Sequence, residues 1–256
     1  MEYKERIPGA TAFRMRLAET VVAVECVFDS TRLYCRDYLV GEEVPAQAMV
    51  RITLEEIRRE GELIPMRQAG RRGSLPYLEV LVLCRRMAQL LPRFDAMLFH
   101  GSALAVEGQG VLFTAKSGTG KSTHTALWRQ VYGEQVTMVN DDKPFLQIRE
   151  TGVQVYGSPW QGKHRLGNNL AVPVKAICIL CRGEENSIQP LPPREALPML
   201  MQQTFQPTEP AELLRKMQMV DQLSRQVQLY RLTCNMDPEA AQVAWQGIFD
   251  RKEKIG

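Results

Sequence analysis

The run Val111-Leu-Phe-Thr-Ala-Lys-Ser-Gly-Thr-Gly-Lys-Ser-Thr-His124 carries the residue types that grip phosphate. Its apolar start predicts a buried strand, a glycine loop follows, and Gly120-Lys121-Ser122 opens a helix. Glycines let successive backbone N–H groups turn inward around phosphate oxygens, and a helix N-terminus adds partial positive charge. Such a loop holds nucleotide phosphates through Ser117, Gly118, Thr119, Gly120 and Thr123. Lys121 then reaches the β- and γ-phosphates, and the Ser122 hydroxyl coordinates Mg2+. The pattern G-x-x-x-x-G-K-[ST] is met except at Ala115, which stands where its first glycine belongs. An alanine fits that turn when its φ is negative.

Further along, Val139-Asn140-Asp141-Asp142 ends a short apolar run on two adjacent carboxylates. Downstream of a phosphate loop, such carboxylates can hold a metal or act as base toward a hydroxyl nucleophile. Asn-Asp-Asp-Lys-Pro is also ordinary turn chemistry. Two other segments could contribute. In Phe99-His100-Gly101-Ser102 the histidine stands alone, and a lone His is more often a satisfied structural residue. Gly157-Ser158-Pro159-Trp160-Gln161-Gly162-Lys163 has the composition of an ordered loop, and it ends in a cation able to balance phosphate charge. By itself it is more often a plain turn with its tryptophan as a core anchor. Cys178-Ile-Leu-Cys181 has the spacing of a zinc or redox pair, but it lies in an apolar stretch that reads as a buried strand. Positions three apart on a strand face opposite sides, and no second pair completes a metal site, so core packing is expected.

These residues need elements to position them. Phe13–Leu17, Thr20–Phe28 and Arg32–Val40 alternate or are β-branched and predict strands, and Ala48–Ile52 predicts a further one. Ile52–Glu60 reads equally as a short helix or a strand end. Arg67–Ser74 is poor in apolar residues and has the pattern of a linker. Pro76 starts a helix that ends near Pro92. From there strands and helices alternate. Strands are expected over Ala96–Val106, Gly110–Ala115, Val136–Val139, Phe145–Arg149, Val153–Gly157, Val174–Arg182 and Val227–Leu232. Helices are expected over Lys121–Tyr132, Arg194–Gln203 and Ala211–Leu223, with a last one opened by Asp237-Pro238-Glu239. The expected architecture is α/β. Residues 1–75 form a smaller β-rich N-terminal domain, 76–93 a junction helix, and 94–256 the catalytic domain around the phosphate loop.

The 256 residues are 45% hydrophobic, enough for a sizeable core and too apolar for disorder. A net charge of +3, from 32 basic and 29 acidic residues, leaves no footprint for nucleic acid. No apolar run approaches the ~18–20 residues that cross a bilayer, and the first residues, MEYKERIPGATAFRMR, lack an apolar signal core. A cytoplasmic protein is expected, with its six scattered cysteines reduced.

Taken together, His100-Gly101, the loop Ala115–Ser122 and the Asp141-Asp142 pair resemble the C-terminal domain of HPr kinase/phosphorylase. That family has a His-Gly strand, a Ser-Gly-x-Gly-Lys-Ser loop and a double aspartate in this order, here over about residues 96–250. The ATP-dependent phosphoenolpyruvate carboxykinases share the nucleotide core, and Ser117-Gly118-Thr119-Gly120-Lys121 is similar to their loop. The Gly-Ser-Pro-Trp-x-Gly-Lys segment is similar to smaller HPr-kinase-related proteins found beside modified-peptide gene clusters, including kinases of a lasso-peptide precursor. The resemblance implies a P-loop kinase core of HPr-kinase/PEP-carboxykinase type with ATP and Mg2+ as cofactors. It implies Asp141 as the base toward an acceptor hydroxyl, and Asp142 and Ser122 as ligands of Mg2+, directly or through water. It places His100 beside the aspartate pair, Lys121 on the β/γ charge, and Lys163 where the family has a phosphate-facing arginine.

The chain departs from the family in lacking a Glu-x-Arg-Gly run after the double aspartate. Gly162-Lys163-His164-Arg165 is the nearest basic cluster. HPr itself and reverse phosphorolysis are therefore not expected, and neither is a full carboxykinase, whose separate substrate-binding lobe has no equivalent stretch here. The expected function is a kinase that phosphorylates a hydroxyl, foremost a Ser in a peptide or protein, with neither nucleic acid nor membrane as partner. The N-terminal part, with Arg67–Arg72, would dock the acceptor. A regulatory protein that binds ATP without transfer is one alternative, and a small-metabolite kinase or carboxykinase-like enzyme is another. The choice between ATP and GTP is not encoded in these motifs, and the hexamers of HPr kinases leave a homo-oligomer open.

Overall fold

Apolar and β-branched residues alternate along Thr11–Leu17 (β1) and Thr20–Cys26 (β2), which pair antiparallel from Thr11↔Cys26 to Leu17↔Thr20. The turn between them uses Ala18 and Glu19 at φ 43° and 65°. Two positive φ values match the right-handed twist of a hairpin, although neither residue type announces such a turn. The computed structural model describes residues 11–63, 73–207 and 209–250. The chain divides into two compact units, Met1–Phe94 and Asp95–Gly256.

In the first unit Leu39–Val40 (β3) pairs with β1, and Ala48–Arg51 (β4) runs parallel to β2, giving the order β3-β1-β2-β4. The strand expected over Arg32–Val40 is mostly helical instead. Asp29–Tyr34 form α1, Arg36–Tyr38 a 3-10 turn, and only the last two residues extend. The cause lies far along the chain, on Leu75–Leu90 (here α3). Its buried Glu79 accepts the N–H groups of Val27 and Phe28 at 2.6 and 3.0 Å and the Thr31 hydroxyl at 2.5 Å. That carboxylate satisfies donors at the entrance of α1 that would otherwise be unpaired. The segment left open between helix and strand is α2, Leu54–Leu63. A capping box starts it: Glu56 N–H donates to Thr53 Oγ1 at 3.2 Å, and Thr53 N–H to Glu56 Oε2 at 2.9 Å. Residues 67–72 of the anticipated linker lie outside the described residues.

The second unit is a mixed α/β fold on a nine-stranded sheet. Its strands are Ala96–Leu98 (β5), Ser102–Val106 (β6), Gln109–Thr114 (β7), Val136–Asn140 (β8), Phe145–Arg149 (β9), Gly152–Tyr156 (β10), Ala171–Arg182 (β11), Ser187–Pro190 (β12) and Gln228–Cys234 (β13). The order β5-β9-β10-β11-β7-β6-β8 is joined by β13 alongside β11, with β12 on β13. The neighbours β7, β11 and β13 run parallel. Ala96–Val106, expected as one strand, is two. Between them Phe99 and Gly101 still donate their N–H groups to the facing Pro144 and Asp142 carbonyls, and the break comes at His100, whose N–H turns to the Gln203 carbonyl.

Four helices cover the sheet: Lys121–Tyr132 (α4), Pro193–Gln202 (α5), Pro210–Gln226 (α6) and Glu239–Phe249 (α7). Alternation along β11 separates two cores. Ile177 and Ile179 pack with Leu200, Val220 and Leu223 of α5 and α6, whereas Cys178 and Leu180 pack with Trp128 of α4 and Ala241, Ala244 and Ile248 of α7. Tyr132 stacks on Trp245 with centroids 4.3 Å apart, which docks α4 on α7 and so fixes the helix that follows the glycine loop. Cys178 is fully buried and its thiol is pushed up by that burial. Among the described residues no group of three or more His, Cys, Asp or Glu side chains could hold a metal ion.

Candidate functional site

β7 delivers a buried Ala115 into the loop. The residues of positive φ do not include Ala115, so it turns there without strain. Gly118 and Gly120 do need positive φ, at 78° and 125°. An added Cβ at either would meet nothing within 4 Å, so the demand for glycine there is conformational. Thr119 closes the loop, its N–H and hydroxyl both donating to the Lys116 carbonyl at 3.2 and 2.8 Å. Ser122 and Thr123 are exposed on the first turn of α4. Lys121 Nζ donates to the Ala115 carbonyl at 3.1 Å. Partial burial lowers its pKa, with Asp142 acting to raise it and Lys143 to lower it further. The loop lysine therefore stands within electrostatic reach of the second carboxylate.

That carboxylate belongs to a tightly bonded corner at the end of β8. Asn140 is fully buried and is its hub. Its Oδ1 accepts the N–H groups of Asp142 and Lys143 at 2.8 and 2.7 Å, and its Nδ2 donates to the carbonyl and hydroxyl of Ser158 at 3.1 and 3.2 Å. Ser158 donates in turn to the Lys143 carbonyl at 2.6 Å. One side chain thus fixes both the direction of the aspartate pair and the loop after β10.

The two aspartates are held differently. Asp141 is buried, its carbonyl accepts the Ser102 hydroxyl at 3.0 Å, and its Oδ1 accepts the Gly162 N–H at 2.7 Å. A Cβ on Gly162 would lie 2.7 Å from Oδ2, so a side chain there would push the Asp141 carboxylate out of this position. Asp142 faces His100, with Oδ1 3.4 Å from His100 Nε2, and its Oδ2 pairs with Lys143. Burial raises the Asp142 pKa, but the His100 hydrogen bond and the Lys143 charge outweigh it and bring it down to about 2.

His100 also connects the corner to the loop. Thr114, the last residue of β7, donates its hydroxyl to the His100 carbonyl at 3.0 Å. Of the residues singled out from sequence, His100, Lys121, Asp141 and Asp142 are therefore brought together. Lys163 follows Gly162 and is exposed, with no hydrogen bond to the aspartate pair among the described residues.

Several residues of this region carry no sequence signal. Arg182, at the end of β11, donates from Nε to the Thr119 carbonyl at 3.2 Å and also to the Gly118 carbonyl. It holds two carbonyls of the glycine loop, Gly118 and Thr119, from outside. It also lines a cavity of about 470 Å³ with Gly118–Gly120, Thr123, His124, Cys181, Asn235 and Met236. His124 is buried, and its Nε2 accepts the Trp128 indole N–H at 3.0 Å. Burial pushes its pKa down to about 4, so the ring is neutral.

Residues 74–239 match the family model described as "SynChlorMet cassette protein ScmC". Among solved structures the chain is similar to the Hpr(Ser) kinase/phosphatase from Coxiella burnetii, at 14% identity and a TM-score of 0.29, over 50% of this chain and 88% of that one. No curated protein matches the chain.

Proposed function

The chain belongs to the family of the SynChlorMet cassette protein ScmC, and we propose that it is an ATP- and Mg2+-dependent kinase that phosphorylates a hydroxyl, foremost a serine of a peptide or protein. The observation that carries this reading is the link between phosphate loop and aspartate corner. Thr114 at the base of the loop bonds His100, and His100 meets Asp142 at 3.4 Å. Phosphoryl transfer asks little covalent chemistry of a protein and much positioning, which a continuous bonded frame supplies.

In this reading the backbone N–H groups of Ser117, Gly118 and Gly120 and the Lys121 ammonium receive the nucleotide's phosphates, with Thr119 closing the loop through its own bonds to Lys116. The cavity on the Arg182 side of the loop has room for the nucleoside. Asp141 takes the proton of the acceptor hydroxyl, whose oxygen forms a bond to the γ-phosphorus as the bond to the β–γ bridging oxygen breaks and ADP leaves. The Gly162 N–H fixes one Asp141 oxygen and thereby aims the other. Oxygen donors suit Mg2+, which takes few protein ligands and completes its shell with phosphate and water. Ser122 and Asp142 offer a hydroxyl and a carboxylate that stays ionised at neutral pH. When bound there, the metal neutralises charge on the β- and γ-phosphates. Lys163 balances charge on the transferred group.

The test is transfer from γ-labelled ATP by the full chain, offered serine peptides, proteins and small alcohols in turn. Acid-stable label on at least one acceptor, lost in Lys121→Ala, is expected. Tight ATP binding with no acceptor labelled would refute the kinase and leave a nucleotide-binding regulatory protein.

A further inference from the structure

We infer that Met236 covers the purine of the bound nucleotide in the cavity beside the glycine loop, an inference that deepens the kinase reading above and rests on it. That cavity, of about 470 Å³, begins at Gly118, Gly120 and Thr123 and reaches the ends of β11 and β13, where Leu180, Cys234 and Met236 line it. Its lining includes none of His100, Asp141 and Asp142. A nucleotide whose phosphates lie on the loop, with the γ-phosphate toward the aspartate corner, therefore has this cavity for its nucleoside. The volume is that of a small-ligand pocket.

Two apolar groups form the floor. Leu180 is buried in the core around Trp128, and the half-buried Cys234 packs against the same core. Burial, with Cys181 adding to it, raises the Cys234 pKa, so this thiol stays neutral and behaves as a small apolar group. Met236 is the opposite case. At 77% exposure it is the most exposed large apolar side chain among the described residues. The turn that presents it is tied on both sides. Asn235 donates its N–H to Asn186 Oδ1 at 3.0 Å and its Nδ2 to the Glu184 carbonyl at 2.9 Å, and its Oδ1 accepts the Asp237 N–H at 2.9 Å. Asn186 donates in turn to Glu239 Oε2 at 2.9 Å, on the first residue of α7. The backbone is fixed, and the thioether is left in water at the rim of a cavity with an apolar floor.

A methionine side chain is flexible and polarizable, and its sulfur makes favourable contacts with aromatic rings. Placed at this rim it can fold onto a base that rests on Leu180 and Cys234, removing its own apolar surface and that of the base from water. The Asn235 amide is engaged within its turn, with Nδ2 also donating to Asp237 Oδ2 at 2.9 Å, so contact at this end of the cavity is made through the faces of the ring. Adenine and guanine share those faces and differ at their polar edges. Met236 therefore adds affinity for ATP and GTP alike, and none for a ligand that has phosphates but no base.

The experiment measures the affinity of the full chain, and of its Met236→Ala and Met236→Leu variants, for ATP, GTP and inorganic tripolyphosphate, each with Mg2+. Met236→Ala should weaken ATP and GTP by about 5-fold each and leave tripolyphosphate within about 2-fold of the unaltered chain. Leucine, of similar volume, should hold ATP within about 2-fold. Unchanged ATP affinity in Met236→Ala overturns the inference alone. So does a loss that tripolyphosphate shares, or one confined to a single nucleotide. An unaltered chain that binds neither ATP nor tripolyphosphate overturns the kinase reading itself, and this inference with it.

Discussion

In the loop from Ala115 to Ser122 the groups proposed to face a ligand are backbone N–H groups, on a turn shaped by two glycines of positive φ and stiffened by Arg182 from behind. In the corner from Asn140 to Lys143 they are carboxylates, aimed by side-chain bonds from Asn140, Ser158 and Gly162. The first design depends on what φ a residue tolerates and hardly on its neighbours in space. The second depends on a buried network in which each polar group is satisfied by another. Damage should therefore be local and graded in the loop, and cooperative in the corner.

The largest expected effect is in the corner. Asn140→Ala strands the N–H groups of Asp142 and Lys143 and the Ser158 carbonyl, and two or more buried groups left unpaired cost about 4 kcal/mol. Chemical denaturation of the variant measures this. A loss below about 1 kcal/mol would mean that water replaces the network without penalty.

Acid separates the two regions. His124, beneath the loop, is held near 4 against an ordinary 6.5 by burial. As pH falls from about 6.5 to 4 the unfolded chain takes up a proton that the folded chain refuses, and about 3 kcal/mol of stability is lost. Asp142 in the corner moves from an ordinary 3.8 to about 2, because its bond to His100 and the Lys143 charge overcome the opposing effect of burial. Its contribution of about 2 kcal/mol is full above pH 4 and disappears as pH falls toward 2. Stability measured against pH should show the loop-side loss first. His124→Gln should remove that step and leave the lower one.

Within the loop, Gly118→Ala forces a Cβ into φ 78° with open space around it. The cost of about 1–2 kcal/mol should appear as roughly 10-fold weaker ATP binding, with the fold intact. Arg182→Gln removes a charged clamp from two exposed carbonyls and should weaken ATP binding by a smaller factor, about 3-fold. A larger effect for Arg182 than for Gly118 would mean that the clamp, not the glycine, sets the loop.

The same contrast explains what could be read from sequence. Gly118, Gly120, Lys121 and Ser122 can be singled out from sequence because in the proposed site their types and spacing would themselves make the binding surface, and the glycine conformations fit that expectation. Asp141 and Asp142 are legible as a pair, but the bonds that orient them come from residues whose types are unremarkable, such as Asn140 and Ser158. Helices α3 to α7 follow from periodicity and prolines, to within a few residues. Arg32–Val40 misleads because its alternation is local, while Glu79 organises α1 from across the unit. The break at His100 is equally non-local, since it is Gln203 that takes its N–H. Arg182 ends a strand like many exposed arginines, and only the parallel pairing of β7 with β11 brings it to the loop.

The role of Asp141 is tested most directly by single-turnover transfer from ATP to an accepted serine peptide, comparing Asp141→Asn with the unaltered chain and measuring ATP affinity in parallel. A base in the transition state contributes about 10²- to 10⁴-fold, so transfer should fall by at least about 100-fold while ATP affinity stays within about 2-fold. Transfer by Asp141→Asn at the unaltered rate would contradict the assignment of Asp141 as the base.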